Sequence, residues 1–192
     1  MKKKTPGISP QVALVYLLMI LGDRSGLCLV TVVAALLHEG GHLIAARLLR
    51  IPISGVRMSF LGARLEVSGR VMSYGEEWLL CAAGPFASLC AAALAAPLWR
   101  SFEVARAFSC ASLVLGLLNL LPIQSFDGGR MLSCMLARFF GTRAAERGGV
   151  LCSFLFLFLL WSTAVYFLLR AGDGLALFCF SLSLFLRFFG NE

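Results

Sequence analysis

Apolar runs long enough to cross a bilayer recur along this chain, and they decide its class before any single residue is considered. Six can be read. They cover Ser9 to Leu21, Leu27 to about Leu49, Glu77 to Trp99, Val104 to Leu121, Val150 to Leu169 and Gly174 to Phe189. With 59% hydrophobic residues and a mean hydropathy of +0.87, a soluble domain is excluded. The expectation is an all-α polytopic membrane protein of about six transmembrane helices. It forms one integral-membrane domain over 1–192, with a core at about 27–140 and C-terminal helices at about 150–189. No small-residue cleavage site clearly follows the first run, so it does not read as a cleaved signal peptide. Met1-Lys2-Lys3-Lys4 reads instead as a cytoplasmic anchor.

The net charge of +7 follows the same logic. The basic residues lie in loops between apolar runs, which fits the positive-inside rule better than nucleic-acid binding. With the N-terminus inside, the cytoplasmic side receives Lys2, Lys3, Lys4, Arg47, Arg50, Arg57, Arg64, Arg70, Arg138, Arg143, Arg147 and Arg187. The outer side receives Arg24, Arg100, Arg106 and Arg170. Both termini are therefore expected in the cytoplasm. The seven cysteines include no C-x-x-C pair and read as small buried hydrophobes.

The second run carries the only two histidines, in His38-Glu39-Gly40-Gly41-His42. On a helix, positions i and i+4 share a face, so both imidazoles can reach one ion. Glu39 is close enough to act as a base on a metal-bound water. H-E-x-x-H on a helix is the pattern of zinc peptidases. A catalytic zinc usually takes three protein ligands and a water, so a carboxylate or thiolate must supply the third.

Asp127 is the strongest candidate, in Asn119-Leu120-Leu121-Pro122-Ile123-Gln124-Ser125-Phe126-Asp127-Gly128-Gly129-Arg130. Pro122 breaks an apolar helix there, and irregular backbone at membrane depth is tolerated where it lines a cavity. An acidic group in such surroundings is costly unless paired or ligating. The structural alternative is an N-cap for a helix from Gly128 to Phe140. Of the other carboxylates, Asp23, Glu103 and Asp173 fall on the opposite side of the membrane. Glu66, Glu76, Glu77 and Glu146 sit in predicted cytoplasmic loops, and Glu192 is terminal.

Residues Ile51 to Tyr74 have a different texture. Val56-Arg57-Met58-Ser59-Phe60 and Ala63-Arg64-Leu65-Glu66-Val67 alternate apolar and polar around Leu61-Gly62. That pattern predicts a membrane-associated β-hairpin after the histidine helix, with a solvated amphipathic loop as the alternative.

HEGGH in one apolar segment and NLLPIQSFDGG in a later one resemble the site-2 protease family of intramembrane zinc metalloproteases, whose patterns are H-E-x-x-H and N-x-x-P-x-x-x-x-D-G. The compact layout, with no evident PDZ or CBS domain, is similar to the stage IV sporulation protein FB branch. Ala83-Gly84-Pro85-Phe86-Ala87-Ser88 resembles a G-P-x-x-N stretch of that family, with Ser88 where asparagine is expected. The resemblance covers about Leu27 to Phe140.

The resemblance implies Zn2+ held by His38, His42 and Asp127, with Glu39 as the catalytic proton carrier. Asn119 is a candidate for binding substrate backbone or the developing oxyanion. Its alternative is a hydrogen bond that satisfies the backbone near Pro122. Arg130 reads as a cytoplasmic-face anchor or as a partner of Asp127. The implied partners are the lipid bilayer and a membrane-associated protein substrate, such as a sigma-factor precursor. Regulatory membrane proteins or further copies of the chain remain open as partners, and no nucleic acid is expected. The implied location is a bacterial cell membrane. A non-hydrolytic metal-binding or transport protein is the competing reading; Glu39 weighs against it, because transport needs no base beside the ligands.

Overall fold

The computed structural model describes residues 23, 25–59, 62–67, 71–171 and 175–190. The first apolar run, Ser9 to Leu21, lies outside them. The chain divides into two compact units, Met1–Asn119 and Leu120–Glu192.

In the first unit, α1 spans Leu27–Leu48, α2 Tyr74–Ala95 and α3 Glu103–Asn119, with strands β1 Ile53–Ser59 and β2 Gly62–Val67 between α1 and α2. Helix α1 is apolar nearly all round, as a membrane helix must be. Its buried residues are Ala34, His38, His42 and Ala46. They recur every four positions and form one stripe. Leu36, Ile44 and Leu48 on other faces are more than half exposed, which suits contact with lipid rather than water.

Both ends of α1 are fastened. At its start the Asp23 carboxylate accepts from the backbone N–H of Ser25 at 2.8 Å and of Cys28 at 2.6 Å. The Ser25 hydroxyl, followed by these N–H groups, holds the Asp23 carboxyl below its ordinary pKa. At its end, Arg50 takes a left-handed conformation with φ 53°. The Ile51 N–H then reaches the Ala46 carbonyl at 2.9 Å and the Arg50 N–H reaches the Arg47 carbonyl at 3.1 Å. This is a Schellman closure without the usual glycine. It folds Ile51 onto Ala46 and Leu80, so the end of α1 and the first turns of α2 share one apolar cluster.

Strands β1 and β2 pair antiparallel, with Val56 opposite Leu65 and Ser59 opposite Gly62, and with an irregularity between Ile53 and Gly55. Ser73 then caps α2. Its hydroxyl accepts from the Glu76 N–H at 3.2 Å, while the Glu76 carboxylate accepts from the Ser73 N–H at 3.0 Å. Glu76, read from the sequence as a loop carboxylate, is thus half of a capping box. A 3-10 turn, Ala96–Leu98, leads out of α2. Helix α3 returns against it, and the Ser109 hydroxyl donates to the Ala92 carbonyl at 2.6 Å. Small residues let the two backbones approach: a side chain at Gly116 would meet Ser88 and Leu89 at 3.2 Å.

In the second unit, α4 spans Asp127–Phe140, α5 Thr142–Ala171 and α6 Leu175–Phe189. Helices α5 and α6 pack through aromatic rings, among them Phe154, Trp161 and Phe185. The Gln124 N–H donates to the Ser153 hydroxyl at 2.9 Å, tying the loop before α4 to α5.

Among the described residues there are six α-helices. Three segments are long and apolar enough to cross a membrane: Leu27–Leu48, Tyr74–Leu98 and Thr142–Arg170. The expected spans at 104–121 and 174–189 form helices of 17 and 15 residues. These are shorter than the ~20 apolar residues that a straight crossing of a ~30 Å hydrocarbon core requires.

Candidate metal centre

The histidine side of the site is built by two helices of the first unit. His38 and His42 lie one turn apart on α1, their ring centroids 5.0 Å apart and their planes at 81°. They are 4% and 7% exposed. Each ring has a hydrogen-bond partner on α2. His42 Nδ1 lies 2.7 Å from the Leu80 carbonyl oxygen. A carbonyl only accepts, so Nδ1 carries the proton and Nε2 keeps its lone pair. His38 Nδ1 lies 2.9 Å from the Ser88 hydroxyl. Leu80, Gly84 and Ser88 stand at four-residue intervals, so one stripe of α2 faces both rings.

Glycines make this approach possible. A Cβ at Gly84 would run into the His42 imidazole. A Cβ at Gly41 would meet the Ala83 carbonyl at 2.5 Å and the Ala87 Cβ at 2.8 Å. Gly40 has nothing within 4 Å at that position. Of the two glycines in HEGGH, packing therefore requires Gly41. Glu39 is half-buried.

Asp127 belongs to the second unit and is half-buried. It is the first residue of α4, whose N-cap is Phe126. The cap reading of Asp127 is thus corrected: the residue sits one position inside the helix, where the macrodipole still favours a carboxylate. The chain enters through a tight turn in which the Ile123 N–H reaches the Leu121 carbonyl and the Phe126 N–H reaches the Ile123 carbonyl, each at 2.8 Å. Buried Ile123 and Phe126 anchor it. A Cβ at Gly128 would strike the Leu120 and Leu121 carbonyls, and one at Gly129 the Ile123 carbonyl. Both glycines are needed for this doubled-back path.

One ligand atom from each of His38, His42 and Asp127 lies within 4.8 Å of the others. Two imidazoles and a carboxylate are a donor set of catalytic zinc sites, which leave a coordination position open. The bond from His42 Nδ1 to Leu80 fits that use, because in the neutral ring it puts the proton on Nδ1 and the lone pair on Nε2. Asn119 ends α3 and donates one amide hydrogen to the Leu115 carbonyl at 3.0 Å. Its second amide hydrogen and its carbonyl oxygen are not used by that bond.

Sequence reasoning gave no role to Leu80, Gly84 or Ser88. Gly84 and Ser88 stood out in the sequence only as members of the Gly84-Pro85-Phe86-Ala87-Ser88 stretch. The Leu80 carbonyl is a backbone atom and carries no sequence signal.

The chain matches the model of Peptidase family M50 over residues 84–163, a stretch that begins beyond the histidines and includes Asp127. No curated protein matches it. Among solved structures it is similar in fold to the Site-2 Protease from Methanocaldococcus jannaschii. The TM-score is 0.61 at 21% identity, over 91% of this chain and 82% of that one. The family match supports a metalloprotease enzyme, the structural likeness shows a shared fold, and the apolar helices with the family match support a membrane protein.

Proposed function

We propose that this protein is an intramembrane zinc metalloendopeptidase that cleaves a membrane-associated protein within or near its transmembrane segment. The observation that carries the proposal is the convergence of His38, His42 and Asp127 beside Glu39. These three side chains would hold Zn2+, which supplies a Lewis acid and lowers the pKa of water toward ~7.

The chain's own residues do the rest. The Leu80 carbonyl accepts from His42 Nδ1–H and so fixes the tautomer and plane of that ring. Glu39 takes a proton from the attacking water and returns it to the leaving amine nitrogen. Asn119 retains an amide hydrogen that can donate to substrate backbone or to a developing oxyanion. The depth of the site in apolar helices suits a substrate that is itself membrane-bound.

A substrate must be extended to expose its carbonyls, because a helix engages them in bonds from i to i+4. Strands β1 and β2 follow the histidine helix directly, and a strand edge can supply the lost backbone bonds by β-addition. The assignment of both termini to the cytoplasm rests on the loop charges. A role in regulated proteolysis, with a sporulation sigma-factor precursor as substrate, rests on the compact layout and the motif resemblance.

The test is Glu39→Gln, which keeps size and polarity but removes the base. Cleavage of a co-expressed membrane substrate should fall by at least ~10²–10⁴-fold, with zinc still bound. Undiminished cleavage by this variant would defeat the assignment. Zinc binding by a wild-type protein that hydrolyses no membrane substrate would favour the non-hydrolytic reading.

A further inference from the structure

The two histidines are held by different kinds of partner. His42 faces a backbone carbonyl, whose role as acceptor is fixed by chemistry. His38 faces a hydroxyl, which can donate or accept. Only one of those arrangements allows His38 to bind a metal through Nε2. If the hydroxyl donates to Nδ1, the proton of the neutral ring sits on Nε2 and blocks it.

We propose that Ser88 is a positioning residue for His38, accepting a hydrogen bond from Nδ1–H and so fixing the tautomer and ring plane that present Nε2 to the metal. The proposal rests on the zinc reading above. Its support is the behaviour of this hydroxyl compared with other serine and threonine hydroxyls in the helices. Ser133, Ser153 and Thr163 turn back to a carbonyl four residues earlier on their own helix, at 2.9, 2.7 and 2.8 Å. That is the ordinary way to satisfy a hydroxyl away from water. Ser109 reaches across to a backbone carbonyl. Ser88, fully buried, points its oxygen at an imidazole 50 residues away in sequence.

Packing limits the size of this residue. Gly116 of α3 lies so close behind Ser88 that a Cβ there would meet the Ser88 Cβ at 3.2 Å. Ser88 therefore packs against α3 and also hydrogen-bonds His38 of α1. This also accounts for a residue as small as serine at the end of the Gly84-Pro85-Phe86-Ala87-Ser88 stretch. Outer hydrogen-bond partners of ligating histidines typically tune metal affinity by ~10–100-fold.

Ser112 provides a matched control. It is also fully buried, in the neighbouring helix α3, and its Oγ has no hydrogen-bond partner among the described residues. Full-length protein in detergent would be stripped of metal and titrated with Zn2+ alone against a chelator. The Co2+-loaded form would be read by its visible absorption. Ser88→Ala should bind Zn2+ ~10–100-fold more weakly and shift the Co2+ bands. Ser112→Ala should match wild type in both, and Ser88→Thr, which keeps the hydroxyl, should recover most of the affinity. Wild-type affinity and spectrum in Ser88→Ala would overturn the proposal. Equal losses in Ser88→Ala and Ser112→Ala would also overturn it, because packing alone would then be responsible. If Ser88→Thr does not fold, the contrast between the two alanine variants decides. A wild-type protein that binds neither ion would instead remove the zinc reading itself.

Discussion

The histidines and the aspartate are held in place by opposite strategies. On the histidine side, support comes from a second helix. A carbonyl and a hydroxyl on α2 orient the rings, and Gly84 leaves the space that the His42 ring fills. On the aspartate side, support is local. Asp127 is placed by a turn of a few residues whose carbonyls press on Gly128 and Gly129. The contrast teaches that the donors are vulnerable to different changes. The imidazoles depend on residues about 40 to 50 positions away, whereas the carboxylate depends on its own neighbours.

The largest effect should come from removing a donor. Asp127→Ala and His38→Ala should each deplete zinc in purified protein and abolish cleavage, because a lost ligand weakens binding as well as activity. Metal analysis after gel filtration checks this. Normal zinc in Asp127→Ala would remove the aspartate from the set and end the comparison.

Next come two glycine substitutions that separate the strategies. Gly84→Ala places a methyl where the His42 ring lies, and Gly128→Ala places one against the Leu120 carbonyl. Overpacking of this kind costs ~1–3 kcal/mol. In Gly84→Ala the obstacle is a side chain, so the ring should move and zinc affinity should fall more than thermal stability. In Gly128→Ala the obstacle is backbone, so stability and zinc affinity should fall together. Denaturation curves with parallel zinc titrations distinguish the two. Identical behaviour would show that the difference in support has no energetic consequence.

A smaller and different effect should follow from proline substitutions scanned from Arg64 to Val67. Proline removes a backbone donor and fits poorly within a pairing strand. Turnover should fall while zinc content and membrane insertion hold. If every variant cleaves normally, β2 takes no part in holding substrate.

The smallest effect should come from Ser73→Ala, which removes one half of the capping box on α2. The loss should be ~1 kcal/mol of stability. Zinc affinity should be unchanged, because the cap lies at the helix end and the apolar cluster of Ala46, Ile51 and Leu80 still fixes the start of α2. A fall in zinc affinity would extend the support of the histidines to the helix terminus.

Much of this was written locally in the chain. The apolar runs announce membrane helices because lipid offers the backbone no hydrogen bonds. His38, Glu39 and His42 announce a shared helix face, because four residues make about one turn. Pro122 and the pair Gly128-Gly129 announce a break that would suit a carboxylate. Tertiary structure decided what spacing could not express. It made Phe126, and not Asp127, the N-cap of α4, because the boundary depends on how the turn from Leu121 to Phe126 closes. It turned Glu76, read from the sequence as a loop carboxylate, into half of a capping box with Ser73. Above all, it selected the partners of the two imidazoles. A backbone carbonyl at Leu80 and a hydroxyl at Ser88 become hydrogen-bond partners of the two rings only when α2 packs against α1. That packing depends on the absence of side chains at Gly41 and Gly84, which sequence records only as two glycines among many.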